Sequence, residues 1–195
     1  MFDKCSKTIS DSLVRAGVIE RKDQNIYSYG IQQGIVSLLN IITTLVIGAI
    51  VHAFYQSIVF IVAYIPLRHF AGGYHAKTQF RCYVFSIFYV SSLLLAITKL
   101  YVSDLTQAIM FIISSIIIIC ISPVEACTKP LDSIEVKLYK NRACFIWMCE
   151  ALVSIFSKLL HLEAISISII WIFSFLSFML LLGKIHSKVL AKGAS

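Results

Sequence analysis

Ile31–Val51 reads IQQGIVSLLNIITTLVIGAIV, 21 residues without an Asp, Glu, Lys or Arg. A helix that crosses the hydrocarbon of a bilayer needs about 20 mainly apolar residues, and this tract meets that length by itself. The same signal recurs outward from it, over Phe54–Leu67, Phe80–Lys99, Leu105–Ile121, Ala143–Leu160 and Ala164–Leu182. These tracts predict an all-α integral membrane protein with about six transmembrane helices. The second tract is short, and a tilted helix or a re-entrant hairpin is the alternative there. Composition points the same way: 58% of the residues are hydrophobic, 14% are charged and the mean hydropathy is +0.85, against about 25% charged in ordinary soluble domains. No repeat or linker divides the chain. It reads as a single membrane-embedded domain over 1–195, with an amphipathic amino-terminal segment (1–28), a transmembrane core (29–183) and a cytoplasmic tail (184–195).

Met1 to Lys22 is too charged and too interrupted for a secretory signal. Phe2, Cys5, Ile9, Leu13 and Ala16 recur there at helical spacing, which predicts an amphipathic helix on the inner membrane face. The basic residues orient the whole chain. Of 17 Lys and Arg, 15 fall in the amino-terminal segment, in the connection holding Arg68, Lys77 and Arg81, in the connection and helix start holding Lys129, Lys137, Lys140 and Arg142, and in the tail holding Lys184, Lys188 and Lys192. The positive-inside rule places all of these, and both termini, in the cytoplasm. Six crossings satisfy that pattern and five do not. The net charge of +7 then serves topology and contact with anionic membrane lipid. Nucleic acid is not an expected partner, because the basic residues are dispersed over separate segments.

Six cysteines lie on the reducing side or within apolar tracts, with neither a CxxC nor a zinc-type Cys/His spacing, so no disulfide framework, metal or other cofactor is expected. Five of them read as small packing residues. Cys82 differs, because Arg81 adjoins it, Lys77 and Arg68 are near, and His75 precedes it by seven residues. A thiol becomes a nucleophile when a base or cation favours the thiolate, and a neighbouring imidazole is a common base. In one straight helix these two residues would stand about 10 Å apart along the axis, at roughly 1.5 Å per residue. The chain must therefore bend, and Gly72-Gly73 offers the freedom to do so.

Other polar residues in or near the tracts are weighed against structural roles. Gln32 is either an oxyanion donor or an interhelical hydrogen bonder. Glu150, the one carboxyl inside an apolar tract, either pairs with Arg68 or Lys129, orients His75, or packs protonated. Arg68 either binds an acidic group or snorkels to headgroups. His52, His161 and His186 read as interfacial. Tyr55, Tyr101 and Trp147 fit an aromatic belt.

The run RHFAGGYHAKTQFRC, with Arg68, Gly73, His75 and Cys82, resembles the signature of the accessory gene regulator protein B (AgrB) family. Tyr29-Gly30-Ile31-Gln32, the segment from Ser122-Pro123 to Lys129-Pro130 and the total length share the resemblance. It implies a cysteine endopeptidase of Gram-positive cell membranes that processes the precursor of a cyclic autoinducing peptide for quorum sensing. His75 and Cys82 match the catalytic pair, while Arg68 and Lys129 match positions tied to activity or substrate handling. The implied partners are a small amphipathic AgrD-like precursor with an acidic tail, and a second copy of the chain as a homodimer. The chain departs from the pattern in carrying Glu125, Asp132 and Glu135 around Lys129, and Ser-Pro in place of Ala-Pro. A small transporter or channel, or a non-catalytic membrane assembly factor, are the readings from other classes. Neither uses the His75 and Cys82 constellation.

The charge pattern makes a direct prediction. A membrane-impermeant thiol reagent applied to intact cells should leave Cys82 unlabelled and should label it once the cells are permeabilised. Labelling in intact cells would invert the topology.

Overall fold

The computed structural model describes the backbone of residues 2–74, 78–124 and 132–193, with side chains over 5–74, 78–124 and 132–187. Seven α helices are described: α1 (Phe2–Arg15), α2 (Gln24–Ile50), α3 (Phe54–Ala71), α4 (Gln79–Lys99), α5 (Asp104–Ile121), α6 (Ser133–Leu159) and α7 (Glu163–Gly193). Each apolar tract lies in one of α2 to α7, so the protein is an all-α, multi-span membrane protein. Four stretches are long and apolar enough to cross a bilayer: Arg21–Ile50, Gln79–Lys99, Asp104–Ile121 and Glu163–Ser187. The other two tracts are less uniform. α3 contains Gln56, Pro66, Arg68 and His69, and α6 contains Arg142, Glu150 and Lys158.

α7 is the packing centre. Buried residues make up 56% of its most apolar window, against 17–28% in the other three stretches. Ile169, Phe173, Leu176 and Leu180 lie along one face at helical spacing and pack with Leu67, Ala71, Ile118, Ala143 and Ala151 of α3, α5 and α6. Ile172 and Met179 present a second face to Phe60 and Ala63 of α3 and to Tyr89, Val90, Leu93 and Leu94 of α4. Small residues let the helices approach closely, as is usual where lipid supplies no hydrophobic drive between helices. A Cβ on Gly48 of α2 would stand 2.5 Å from Ser57 Oγ of α3, and Ser154 Oγ of α6 lies 3.2 Å from Ser166 Oγ of α7. Trp147 does not join an aromatic belt. Its indole Nε1 donates to Ser115 Oγ of α5 at 3.1 Å, because a buried indole N–H needs an acceptor. Tyr101 is 97% exposed.

The cysteines also differ from expectation. Cys5, Cys120 and Cys149 are exposed on the helix surfaces, and Cys127 lies outside the described residues. In a bilayer a small apolar side chain has no need of the interior, since lipid tails are as apolar as a core.

The amphipathic segment forms α1, which ends in a Schellman turn. Gly17, at φ +67°, donates to Val14 O at 3.0 Å, and Val18 donates to Leu13 O at 3.0 Å. This returns the chain to α2, where Ser28 Oγ lies 3.3 Å from Ser6 Oγ. At the opposite end of the bundle, two helix pairs close with the same motif but with histidine in the left-handed position. His52 (φ +56°) closes α2 onto α3, with Ala53 N donating to Gly48 O at 2.7 Å. His161 (φ +58°) closes α6 onto α7, with Leu162 N donating to Ser157 O at 2.8 Å. At that same end Lys158 Nζ meets Asp104 Oδ1 at 2.6 Å and Glu163 at 4.0 Å. One of the two cations outside the basic segments is thus neutralised locally.

A left-handed conformation costs a side-chain-bearing residue about 1–2 kcal/mol and costs glycine little. His52→Gly and His161→Gly should therefore each stabilise the solubilised protein by about 1 kcal/mol, read as a rise in unfolding temperature. A fall in both would show that the imidazoles make contacts worth more than the strain.

Candidate functional site

α3 carries Arg68 to the end of the bundle opposite the two histidine turns. Pro66 lies inside this helix one turn before its end, and Gly72 N closes it by donating to Arg68 O at 3.0 Å. Gly72 and Gly73 follow at φ +73° and +132°, conformations that side-chain-bearing residues rarely adopt. The chain therefore bends before Cys82, where the Gly-Gly pair allows it.

Three elements hold the bent segment. Val124 N donates to Ala71 O at 2.9 Å, and Gly72 forms a bridge with Val124. A Cβ on Gly72 would collide with Val124 O. Tyr74 N donates to Met179 O of α7 at 3.2 Å, an approach that Gly183 permits, because a Cβ there would lie 2.7 Å from Gly73 C and Tyr74 N. The Arg68 guanidinium spans the bend, with Nη1 donating to Gly72 O and Nη2 donating to Tyr74 O at 2.6 Å. A Cβ on Gly73 would fall on Nη1. Arg68 is thus neither snorkelled to headgroups nor paired with Glu150. It is spent on the backbone immediately before His75.

Thr78 caps α4, its side chain accepting from Arg81 N at 3.3 Å. Cys82, a half-buried free thiol, stands in the first turns of that helix, with its N–H on Thr78 O at 3.0 Å. Aligned peptide dipoles favour negative charge near a helix start. The segment held by Arg68 and the cap on Thr78 therefore flank the position of His75 on both sides. His75 and Lys129 themselves lie outside the described residues.

The remaining expected residues do not converge in the same way. Gln32 is half-buried on α2, but the glutamine contact between α2 and α4 comes from its neighbour: Gln79 Nε2 donates to Gln33 Oε1 at 3.5 Å. The Oε2 atom of Glu150 is buried without a hydrogen-bond partner among the described residues. Asp132 and Glu135, the acidic departure near Lys129, form a capping box at the start of α6, Asp132 N donating to Glu135 Oε2 at 3.2 Å. Their charges serve that helix. Sequence reading did not find Tyr74 or His186, whose rings meet edge to face at 5.2 Å beside the bend. The spacing of His186 in a terminal basic stretch carried no signal of that contact. No group of three His, Cys, Asp or Glu among the described residues is arranged to hold a metal ion.

Removing the guanidinium contacts should loosen the bend first. Gly73→Ala, which puts a methyl where Nη1 lies, should raise amide exchange over Gly72–Tyr74 by about tenfold or more, since each hydrogen bond to a charged group is worth about 1.5–3 kcal/mol. Unchanged exchange, measured by mass spectrometry on protein in nanodiscs, would refute the stapling role of Arg68.

Comparison with known proteins bears on this arrangement. The family model described as accessory gene regulator B matches residues 6–180. The accessory gene regulator protein B of Staphylococcus carnosus (strain TM300) is 28% identical over 139 residues, covering 68% of this chain and 71% of that protein. No solved structure matches. With the match extending over α1 to α7 and including the stapled bend and Cys82, the chain belongs to the accessory gene regulator B family.

Proposed function

We propose that the protein is a membrane cysteine endopeptidase that cleaves a quorum-sensing propeptide and cyclises the product, with Cys82 as nucleophile and His75 as its base. The observation that carries this reading is the placement of Cys82 near the start of α4, behind a bend fixed by Arg68, Gly72 and Gly73. That rigidity is what a positioned nucleophile requires. Family membership supports the same chemistry.

The bundle crosses the membrane six times, with both termini and the Cys82 end in the cytoplasm. Supporting this for α3 and α6 are the large apolar residues they expose. Ile58, Val62 and Ile65 form a stripe on α3, and Phe145, Met148, Leu152, Ile155 and Leu159 form one on α6. Apolar patches of this extent suit lipid and not water. Glu150, the carboxyl in the middle of α6, is a supporting group of the site.

His75 accepts the Cys82 thiol proton, and the sulfur attacks a precursor carbonyl. The carbon–nitrogen bond breaks, the leaving amine takes a proton from the imidazolium, and a thioester remains on Cys82. A cysteine within the acyl segment then attacks that carbonyl, its proton passes to the departing Cys82 sulfur, and a thiolactone leaves. One thioester replaces another, so no nucleotide is consumed. Water competes for the same carbonyl, and the membrane boundary limits its access. Gln32 remains a proposed oxyanion donor beside backbone amides of the bend. The precursor is a small AgrD-like amphipathic peptide whose acidic tail is drawn to Lys129, Lys137, Lys140 and Arg142, and the enzyme works as a homodimer.

Cys82→Ala should abolish precursor cleavage and any covalent intermediate while leaving membrane insertion intact, and His75→Ala should slow cleavage by about a hundredfold or more. Replacing the internal precursor cysteine by alanine should still permit acylation of Cys82 but leave only a linear product, whereas the unaltered precursor should give a ring lighter by one water than its own linear form. Processing by the Cys82 variant would end the peptidase reading. A linear product from the unaltered pair, even at early times, would reduce the protein to a hydrolase.

A further inference from the structure

Beside the bend, α4 and the last turns of α7 leave a cavity of about 350 Å³, lined by Tyr74, Phe85, Leu182, Ile185 and His186. Its walls are held in place by contacts independent of any ligand. Tyr74 is fixed through its carbonyl to Arg68 and through its N–H to Met179, and its ring packs on Phe85 at 5.6 Å and on His186 at 5.2 Å. A preformed cavity that is mainly apolar with a few polar groups is the usual form of a binding site.

Its position relative to Cys82 restricts the occupant. Phe85 lies three residues beyond Cys82, on nearly the same side of α4 and about 4.5 Å further along the axis. An extended peptide advances about 3.3 Å per residue. A peptide carbonyl at the Cys82 sulfur therefore has a side chain of the same residue or the next within reach of the cavity. A charged side chain would lose its hydration against these mainly apolar walls, whereas an aromatic one would meet Tyr74 and Phe85 in tilted geometry. The acyl segment is also the part that must stay in place after the leaving fragment departs, if ring closure is to outrun water.

Resting on the peptidase reading above, we infer that this cavity is an acyl-side subsite that receives a large apolar, preferentially aromatic, side chain within two residues of the scissile carbonyl. It fixes substrate choice and retains the acyl segment while the thioester is exchanged.

Three peptide reagents that alkylate thiols test this without knowledge of the natural precursor: the chloromethyl ketones of acetyl-Gly-Phe, acetyl-Gly-Ala and acetyl-Gly-Asp. Alkylation of Cys82 is followed by peptide mapping in detergent and in nanodiscs, each rate divided by that of iodoacetamide on the same variant. The Phe reagent should be faster than the Ala reagent by about tenfold or more, and the Asp reagent slowest. Ile185 is 59% exposed, so substitutions there spare the core. Ile185→Trp, which crowds the cavity, should bring the Phe-to-Ala ratio close to one, and Ile185→Ala should preserve it. Equal normalised rates for Phe and Ala, or a ratio undiminished in Ile185→Trp, would overturn the subsite. So would a preference seen in detergent but absent in nanodiscs, which would assign the cavity to a lipid acyl chain. Failure of the peptidase reading would appear separately, as precursor processing by Cys82→Ala.

Discussion

The contact on which the site depends is the Arg68 guanidinium spanning the carbonyls of Gly72 and Tyr74. Two glycines in left-handed conformations turn the chain off the end of α3, and that turn leaves backbone oxygens facing inward. A planar donor with several N–H groups can satisfy two such oxygens at once, which a lysine ammonium does with less directional control. The arginine supplies compensation and rigidity together. The segment it fixes is then hooked to α7 through Met179 O and laid against Val124. One side chain thereby ties α3 to both of the surfaces that border the Cys82 end of the bundle.

Much of the architecture was legible because lipid imposes a simple rule: long apolar tracts become helices. The tracts locate α2 to α7, although the helix ends fall elsewhere. α2 begins at Gln24 and α6 at Ser133, several residues before the corresponding apolar tracts, because backbone hydrogen bonding, helped at α6 by the capping box, extends a helix into polar sequence. The Gly-Gly bend before Cys82 was legible for the same local reason, since glycine is what positive φ demands. The partners of Arg68 were not. They depend on where α7 approaches, and Gly183 reads in sequence only as an interruption in an apolar run. Trp147 was misplaced in the same way, since its contact with Ser115 exists only once α5 and α6 are adjacent. The aromatic group around Tyr74 joins residues separated by more than a hundred positions, and no periodicity announces it.

The acidic residues near Lys129 show how local structure can reassign a charge. In sequence, Asp132 and Glu135 oppose the basic charge of their connection. In the fold they satisfy the start of α6, a helix end that favours negative charge. The cations further along that helix, Lys137, Lys140 and Arg142, keep the surface positive. Lys158, at the other end, has its charge met by Asp104. Counting charges by connection gives an expected orientation, but the use of each charge follows from capping and pairing.

The close approach at the bend also constrains how the chain can change. A methyl at position 73 would occupy the space of the Arg68 guanidinium, and one at position 183 would strike the backbone between residues 73 and 74. Positions 68, 73 and 183 are therefore a single unit of variation, though they are contributed by a helix end, a bend and a distant helix. The effect of replacing one depends on what occupies the others. A substitution judged at any one of the three in isolation will be misjudged.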